Sequence, residues 1–465
     1  MDTELPTHEL HRNLKNRHIQ LIALGGAIGT GLFYGSATTI KLVGPGIIVS
    51  YLLGGIVIFL IMRALGEMAV DEPVSGSFSH YAYRYWGDFP GFLAGWNYWF
   101  NYIIVGMAEL TAVGAYMHFW WPGLPVWISA FIFWVLITLV NLVNVKAFGE
   151  FEFWFALIKV VAIIAMIVLG IVLIFMGFGH TTGTPMFSNL WIHGGFFPNG
   201  ISGLLFSLVI VMFSFGGTEL IGITAGEADN PSRSIPKAVN QVMWRILIFY
   251  IGSLAVIVTL YPWNKIGTTG SPFVEIFSNV GIPAAAFILN IVVITAAMST
   301  FNSGLYSNGR MLYGLAKQGN APRFFAYVSK PGAPIVGILF SSALVFLTVL
   351  INYVAPKSAF LYLVSVATAA LIINWVMILI AHVKFRQQKD VSVLKFRMPG
   401  FPLTSYVSLA FLALVVVMMA IMPEMRLALY IGLIWMVILY IAYKIKNSIE
   451  KKSMGSGQAD HRTIH

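Results

Sequence analysis

Twelve apolar segments of about 20 residues restrict the folds that this chain can adopt, because a helix of that length spans roughly 30 Å of hydrocarbon. Composition agrees: 58% of the residues are hydrophobic and only 10% are charged, whereas soluble globular chains have about 25% charged residues. The sequence therefore predicts an all-α polytopic membrane protein with 12 transmembrane helices. The predicted segments are residues 19–40, 47–69, 92–117, 126–145, 153–176, 201–225, 241–262, 282–308, 334–354, 358–381, 404–422 and 427–445.

The basic residues predict how these helices are oriented. The chain has 28 Lys and Arg residues, 18 Asp and Glu residues and a formal net charge of +10. Lys and Arg accumulate in the cytoplasmic loops of membrane proteins. If the N-terminus is cytoplasmic, the predicted outer loops hold only Lys41, Lys265, Lys357 and Arg426. We therefore expect both termini in the cytoplasm, and we attribute the positive charge to topology and not to nucleic-acid binding.

Several classes of activity lack the residues they require. The chain has no cysteine, which excludes disulfides, iron–sulfur clusters and thiolate zinc sites. It contains no P-loop for an ATP-driven pump, and its histidines show no metal-ligand spacing. No set of nucleophile and base is visible. We therefore predict a protein that is not an enzyme and that uses no metal, cofactor or ATP.

Glycines interrupt two of the apolar segments in their middles. Segment one contains the glycine-rich stretch 25–31, and segment six contains Gly216 and Gly217. A glycine inside a helix costs about 0.5–1 kcal/mol relative to alanine. Backbone groups exposed by a broken helix are tolerated in a membrane only where they face protein or a water-filled cavity. The two interruptions therefore predict a cavity near the middle of the bilayer.

The interrupted segments occupy corresponding positions if the first ten segments form two halves of five helices. Because five is odd, the second half is then inverted relative to the first. Interrupted helices at matching positions of an inverted repeat indicate the substrate site of a secondary transporter, although close helix packing through glycines is an alternative explanation. The predicted regions are a cytoplasmic tail at 1–18, two repeats at 19–200 and 201–381, a loop with the last two helices at 382–446, and a cytoplasmic tail at 447–465.

Within the predicted helices, the ionisable residues Glu109, Lys159 and Glu219 are candidates for a function. Each costs at least about 2.5 kcal/mol at the bilayer centre, so such residues usually have a function. Glu109 follows a polar and aromatic face unsuited to lipid. Glu219 follows the second glycine cluster, whose freed amides can hold it, and structural hydrogen bonding is its alternative role. Lys159 lies about 9 Å into its helix, where it can either alternate between charged and neutral forms or extend to the cytoplasmic surface.

The glycine clusters belong to longer motifs that resemble the amino acid permeases of the amino acid–polyamine–organocation superfamily. Residues 95–99, 107–112 and 149–154 are most similar to the bacterial aromatic amino acid and phenylalanine permeases of its amino acid transporter family. The chain departs from the commoner pattern of those permeases at Thr218 and Gly309. The motifs shared with the superfamily are residues 17–33, 44–46, 65–68, 72–73, 213–220, 226–231 and 302–313.

This resemblance implies a leucine-transporter-type (LeuT-type) fold: a 5+5 inverted repeat with broken helices 1 and 6, plus two extra helices, working by alternating access. In such permeases, main-chain amides of the first break bind the substrate carboxylate, and carbonyls of both breaks bind its ammonium group. Phe213 and Tyr102 then contact the substrate, for which Gly216, Gly217 and Gly304 leave room. The implied substrate-binding residues are Ala27, Ile28, Gly29, Thr30, Gly31, Tyr102, Phe213, Phe215, Gly216, Gly217 and Asn302.

The resemblance also implies coupling to protons. Lys159 stands where sodium-coupled relatives bind their ion, and Glu109 and Glu219 tune the site or take part in proton movement. We therefore expect a proton-coupled importer of Phe, Tyr and Trp in the inner membrane of a bacterium, with protons and membrane lipid as its other partners. The alternatives are a symporter or exchanger for another neutral amino acid such as proline, and a sensor that binds amino acids without transporting them.

Overall fold

Helices make up all the regular structure in the described part of the chain. The computed structural model describes residues 28–74, 77–143, 145–177, 186–223, 230–268, 270–329, 332–356 and 358–460. In the first half of the chain the helices are α1 (Ser36–Val43), α2 (Ile47–Asp71), α3 (Ser77–Tyr85), α4 (Asp88–Met117), α5 (Val126–Val143) and α6 (Val145–Met176). They continue with α7 (Gly200–Ser214), α8 (Leu220–Ile223), α9 (Pro231–Arg245), α10 (Ser253–Leu260), α11 (Pro272–Asn279), α12 (Pro283–Lys317), α13 (Ile335–Val345), α14 (Leu347–Val354), α15 (Ala359–Gln388), α16 (Leu403–Ile421) and α17 (Pro423–Asp460).

Nine helical runs among the described residues are long and apolar enough to cross a membrane. Two further apolar helices, Val126–Leu142 and Gly200–Ser214, are shorter. These findings agree with the predicted all-α polytopic membrane protein. The nine candidate spans are Gly31–Asp71, Asp88–Met117, Glu152–Met176, Pro231–Leu260, Pro283–Lys317, Ile335–Val354, Ala359–Gln388, Leu403–Ile421 and Pro423–Ile449.

Two helices begin well before the apolar segments that predicted them. The fifth segment was expected from residue 153, but α6 starts at Val145; the seventh was expected from residue 241, but α9 starts at Pro231. Proline is favoured in the first turn of a helix because it has no N–H to satisfy there, and the carbonyl of Asn230 accepts hydrogen bonds from the amides of Arg233 and Ser234. Hydropathy marks the part of a helix that lies in lipid and misses its polar first turns.

Both glycine clusters coincide with departures from regular α-helix. In the second cluster, α7 ends at Ser214 and α8 begins at Leu220. Between them Gly217 has φ +92°, a backbone conformation that residues with a Cβ rarely adopt. This confirms the predicted break in segment six. In the first cluster, the described chain begins at Ile28, and Gly31–Gly35 forms a π-helical turn before α1.

The helix α4 lies at the centre of the bundle. It packs along α12 on one side and along α15 on another. In the most apolar window of α4, 83% of the residues are buried, against 17% in Pro423–Ile449, which lies at the periphery. Gly106 lets α4 and α12 approach each other closely, because a Cβ at this position would lie 3.0 Å from the ring of Phe301 in α12. Side chains on α4 are therefore well placed to line an internal site.

An ion-pair cluster that the sequence analysis did not anticipate joins α2 to α15. The carboxylate of Glu67 is buried and accepts hydrogen bonds from His382 Nε2 at 3.1 Å, Arg386 at 3.1 Å and the amide of Met398 at 2.6 Å. All four groups lie near the predicted cytoplasmic ends of their segments. The expectation of three ionisable residues within apolar spans was therefore incomplete, because Glu67 and His382 are also buried, as is Arg245.

We expect Glu67→Ala to lower the free energy of unfolding by about 3 kcal/mol or more, because it leaves Arg386 and His382 buried without their acceptor. Asp71→Ala is the matched control. Asp71 lies one turn further along α2 and pairs with the partly exposed Lys389 at 2.8 Å, so its loss should cost about 1 kcal/mol or less. Thermal unfolding in detergent measures both variants, and equal shifts in melting temperature would contradict the role given to Glu67.

Candidate functional site

A small cavity lies where the two glycine clusters meet. It is enclosed by the first cluster, by α4, by the end of α7 with the break that follows, and by α12. It contains seven of the residues singled out by the sequence: Gly29, Gly31, Tyr102, Glu109, Phe213, Gly216 and Gly217. The other lining residues are Asn101, Val105, Ser214 and Thr300.

We call residues 28–31 the first break and residues 215–219 the second break. The first break touches the end of α7, next to the second break, through a glycine. A Cβ atom at Gly31 would lie 2.5 Å from the Cα of Ser214 and 3.1 Å from the ring of Phe213. No side chain fits into such a gap without movement of the backbone. The first break can therefore approach the end of α7 only because residue 31 is glycine.

Glu109 binds the main chain of the first break. Its two carboxylate oxygens accept the N–H of Thr30 at 3.3 and 3.4 Å, and a Cβ at Gly29 would lie 2.6 Å from Oε1. The side chain is buried, so the carboxylate replaces water as the partner of a freed amide. The amide that the family resemblance assigns to a substrate carboxylate is thus occupied by a carboxylate of the protein.

Lys159 points into the protein and away from the membrane surface. Its ammonium group donates to the carbonyl of Ile28 at 3.3 Å and to Ser299 Oγ at 2.8 Å, and the side chain is fully buried. Ser299 in turn donates to Glu152 Oε1 at 2.5 Å. The alternative that Lys159 extends to the cytoplasmic surface is therefore wrong. Lys159 does not line the cavity. It contacts the first break through the carbonyl of Ile28.

Glu219 has the corresponding position at the second break. Both of its carboxylate oxygens accept the N–H of Gly217 at 3.2 Å, which confirms the expectation that amides freed by the glycines would hold it. Tyr98, Tyr102 and Trp375 surround the carboxylate. Glu219 itself lies outside the cavity wall.

Three other residues named from the sequence are not among those that line the cavity. Ile28 and Thr30 are buried in the first break. Phe215 packs against the rings of Tyr51 and Tyr250, at centroid distances of 5.7 and 5.1 Å.

Another predicted position, Asn302, also contributes nothing to the cavity wall. Asn302 Oδ1 accepts a hydrogen bond from Asn141 at 2.8 Å. Ala27 lies outside the described residues. The space expected beside two glycines is filled, because a Cβ would lie 2.8 Å from Leu371 at Gly216 and 2.7 Å from Tyr102 at Gly304.

Asn101, which the sequence analysis did not assign to the site, and Tyr102, which it did, provide much of the polarity of the cavity. The side-chain nitrogen and oxygen of Asn101 and the hydroxyl of Tyr102 are buried without a hydrogen-bond partner in the described part of the protein. Leaving such a group unpaired costs about 1–3 kcal/mol, so these atoms are suited to a polar ligand or water.

The sequence analysis also missed Glu152 as a buried acid, because Glu152 lies just before the apolar run 153–176 that defined its segment.

The cavity in this structure is closed. Its volume is about 20 Å³, which suffices for a water molecule, whereas pockets for small ligands usually occupy about 300–1,000 Å³. A ligand larger than water therefore requires the cavity walls to separate.

Comparisons of the sequence with known proteins identify similar transporters. A family model described as amino acid permease matches residues 18–454. The aromatic amino acid transport protein AroP of Escherichia coli is 55% identical over 453 residues, which cover 97% of this chain and 99% of that protein. AroP of Salmonella typhi is 53% identical, with the same shares of each chain covered. An uncharacterized amino acid permease of Bacillus subtilis, YtnA, is 51% identical over 97% of this chain and 98% of its own length.

We expect Gly31→Ala to destabilise the protein by about 1–3 kcal/mol, because the new methyl group overlaps the backbone of Ser214. Gly314→Ala in α12 is the matched control, since a Cβ at Gly314 has no neighbour within 4 Å. Alanine there should be neutral or stabilising by up to about 1 kcal/mol. Melting temperatures of the purified proteins in detergent provide the comparison, and an unchanged value for Gly31→Ala would show that the two breaks are not in close contact.

Proposed function

The chain belongs to the amino acid permease family and is therefore a transporter and not an enzyme; from this premise we propose that it imports aromatic amino acids by proton symport. The proposal rests on one observation above all: a buried carboxylate, Glu109, occupies a main-chain amide of the first helix break inside the cavity. We place the protein in a bacterial inner membrane with both termini in the cytoplasm, as the distribution of basic residues favours.

We propose twelve spans arranged as a LeuT-type 5+5 inverted repeat with two extra helices. The run Gly31–Asp71 contains two helices, because α1 ends at Val43 and α2 begins at Ile47. These two, the eight other candidate spans and the two shorter apolar helices give the proposed number. The breaks then fall in the first helix of each repeat, and the third helices, α4 and α12, pack together at the centre. The repeats would comprise residues 19–200 and 201–381.

An aromatic substrate is supported by the relatives and by two rings in the cavity wall. AroP of Escherichia coli is named as an aromatic amino acid transport protein. In this chain, Tyr102 and Phe213 line the cavity from opposite repeats. Contact with an aromatic ring contributes about 0.5–1.5 kcal/mol beyond the burial of area. Separation of the repeats would let a substrate ring enter between these two side chains.

Main-chain groups of the breaks are the proposed partners of the substrate's charged ends. The amides around Gly29, Thr30 and Gly31 would bind the carboxylate. The carbonyl of Phe213 accepts one hydrogen bond, from the amide of Gly216 at 3.0 Å, and a carbonyl oxygen has a second lone pair for the ammonium group. Helix ends supply partial charges without burying a further full charge.

Proton coupling follows from competition for the Thr30 amide. A substrate carboxylate that binds this N–H must displace Glu109 or lie beside it, and two charged carboxylates in one buried site repel each other. Binding of substrate and protonation of Glu109 therefore favour each other, and by linkage the effect is reciprocal. We assign the transported proton to Glu109, which lines the cavity, and a positioning role to Glu219, which holds the second break.

Lys159 is proposed to take the place of a bound sodium ion. Its ammonium group joins the first break, through the carbonyl of Ile28, to α12, through Ser299. A cation at that point neutralises part of the charge of Glu109 and Glu152, which both act on it electrostatically. Because the cation is covalently attached, the transporter would need no sodium gradient.

Uptake of radiolabelled phenylalanine into liposomes that contain the purified protein tests the function. We expect accumulation when an inward proton gradient is imposed, and inhibition by excess unlabelled Tyr and Trp but not by Pro. Inhibition by Pro alone would change the substrate and keep the fold. Uptake that requires amino acid inside the vesicles would identify an exchanger, and specific binding without any flux would identify a sensor.

The assignment of the proton is tested with Glu109→Gln and Glu219→Gln. We expect Glu109→Gln to abolish the response of uptake to the proton gradient, at least about tenfold, while exchange of internal for external phenylalanine persists, because exchange requires no net proton movement. Glu219→Gln should still respond to the gradient. The proposal fails if Glu219→Gln alone loses the response. Equal surface expression and gel-filtration profiles of the variants control for folding.

A further inference from the structure

A second cavity lies above the candidate site, on the side of the bundle that we propose faces outward. It is formed by the end of α4, by α11 and by the start of α12, and its volume is about 320 Å³. We call it the outer vestibule and define it by His118, Ser271, Glu275 and Asn290, with Tyr116 at its boundary. These side chains are polar, so water fills the outer vestibule more readily than lipid.

Tyr116 is the buried residue of this wall that is closest along α4 to the candidate site. Only 1% of its surface is exposed, and its hydroxyl has no hydrogen-bond partner within the described ranges. A neighbouring polar group, the side-chain amide of Asn290, donates to the carbonyl of Tyr116 at 3.0 Å and leaves the hydroxyl free. A buried hydroxyl without a partner costs about 1–3 kcal/mol. This cost favours a functional role for the Tyr116 hydroxyl.

Tyr116 lies on the same face of α4 as Glu109. The two residues are seven positions apart on α4, which is two turns on one face and about 10.5 Å along the axis. Side chains of a helix tilt towards its N-terminus, so the ring of Tyr116 extends in the direction of Glu109. Tyr34, a titratable residue just after the first break, packs against the ring of Tyr116.

Aromatic rings just after the first break pack against Tyr116 and against rings of α11 and α15. Tyr34 makes edge-to-face contacts with Tyr116 and Phe360, at centroid distances of 5.8 and 4.4 Å. Phe33 and Phe273 make a similar contact at 5.2 Å. A layer of rings excludes a continuous column of water, so a proton that crosses it needs a hydroxyl that can both accept and donate.

We propose that the proton reaches Glu109 from the outer vestibule through the hydroxyl of Tyr116. A hydronium ion in the vestibule transfers a proton to the phenol oxygen as the phenol O–H transfers its own proton towards the carboxylate. One proton then leaves the vestibule, one arrives on Glu109, and Tyr116 is unchanged. This inference rests on the proposed function, because it requires Glu109 to carry the transported proton.

Tyr116→Phe tests the proposal, since it keeps the ring and removes only the hydroxyl. We expect uptake driven by a proton gradient to fall by about tenfold or more, whereas exchange of phenylalanine at equal internal and external concentrations changes less than about twofold, because exchange requires no net proton transfer. Tyr116→His, which retains a group able to accept and donate a proton, should restore part of the gradient-driven uptake.

Tyr261→Phe is the matched control. Its hydroxyl accepts a hydrogen bond from Asn279, a residue of the vestibule wall, at 3.2 Å. The Tyr261→Phe variant therefore loses one hydroxyl near the outer vestibule but leaves Tyr116 and Glu109 unchanged. Its gradient-driven uptake and its exchange of phenylalanine should both stay at the wild-type level.

Three results would overturn the proposal. Normal gradient-driven uptake by Tyr116→Phe would show that the hydroxyl is not needed. Equal losses of gradient-driven uptake and exchange would show a structural role. Failure of Tyr116→His to exceed Tyr116→Phe would argue against proton transfer at this position. The wild-type protein is measured first: if it exchanges phenylalanine but ignores the proton gradient, the proposed function fails as well, and the two failures are distinguished.

Discussion

The hydrogen bond from the Thr30 amide to the Glu109 carboxylate joins the features on which the proposed transport depends. It satisfies a backbone group freed by the first break, and it brings a charge from the central helix α4 into the cavity. A freed amide in a membrane must find a partner inside the protein. Since the partner is a carboxylate of the protein, a substrate carboxylate can use the same amide only by competing with it. We propose that this competition couples substrate binding to proton binding.

Charge around the first break is balanced by a lysine that approaches from the other side. Lys159 contacts the carbonyl of Ile28, the residue two positions before Thr30, and Ser299 connects it to Glu152. Two acids and one base, Glu109, Glu152 and Lys159, therefore lie around residues 28–30. Buried charges are costly unless they are paired, so the arrangement stabilises one position of the break. A change in protonation of one member shifts the balance for the others, as a conformational switch requires.

The sequence predicted those parts of the structure that local chemistry determines. Helices of about 20 apolar residues follow from the thickness of the hydrocarbon, and the break after Ser214 follows from consecutive glycines. Contacts between distant segments could not be predicted in this way. Phe215 was expected near the substrate but packs on Tyr51 and Tyr250, which belong to distant parts of the sequence. His382 and Glu67 were missed because their pairing joins residues more than 300 positions apart.

The central claim, that substrate binding and protonation of Glu109 are linked, is tested most directly by calorimetry. The enthalpy of phenylalanine binding would be measured at slightly alkaline pH in buffers with different enthalpies of ionisation, for the wild-type protein and for Glu109→Gln. The account predicts that the wild-type enthalpy varies with the buffer by an amount equivalent to the uptake of about one proton per phenylalanine, and that this dependence disappears in Glu109→Gln. A wild-type enthalpy that is the same in every buffer would contradict the account.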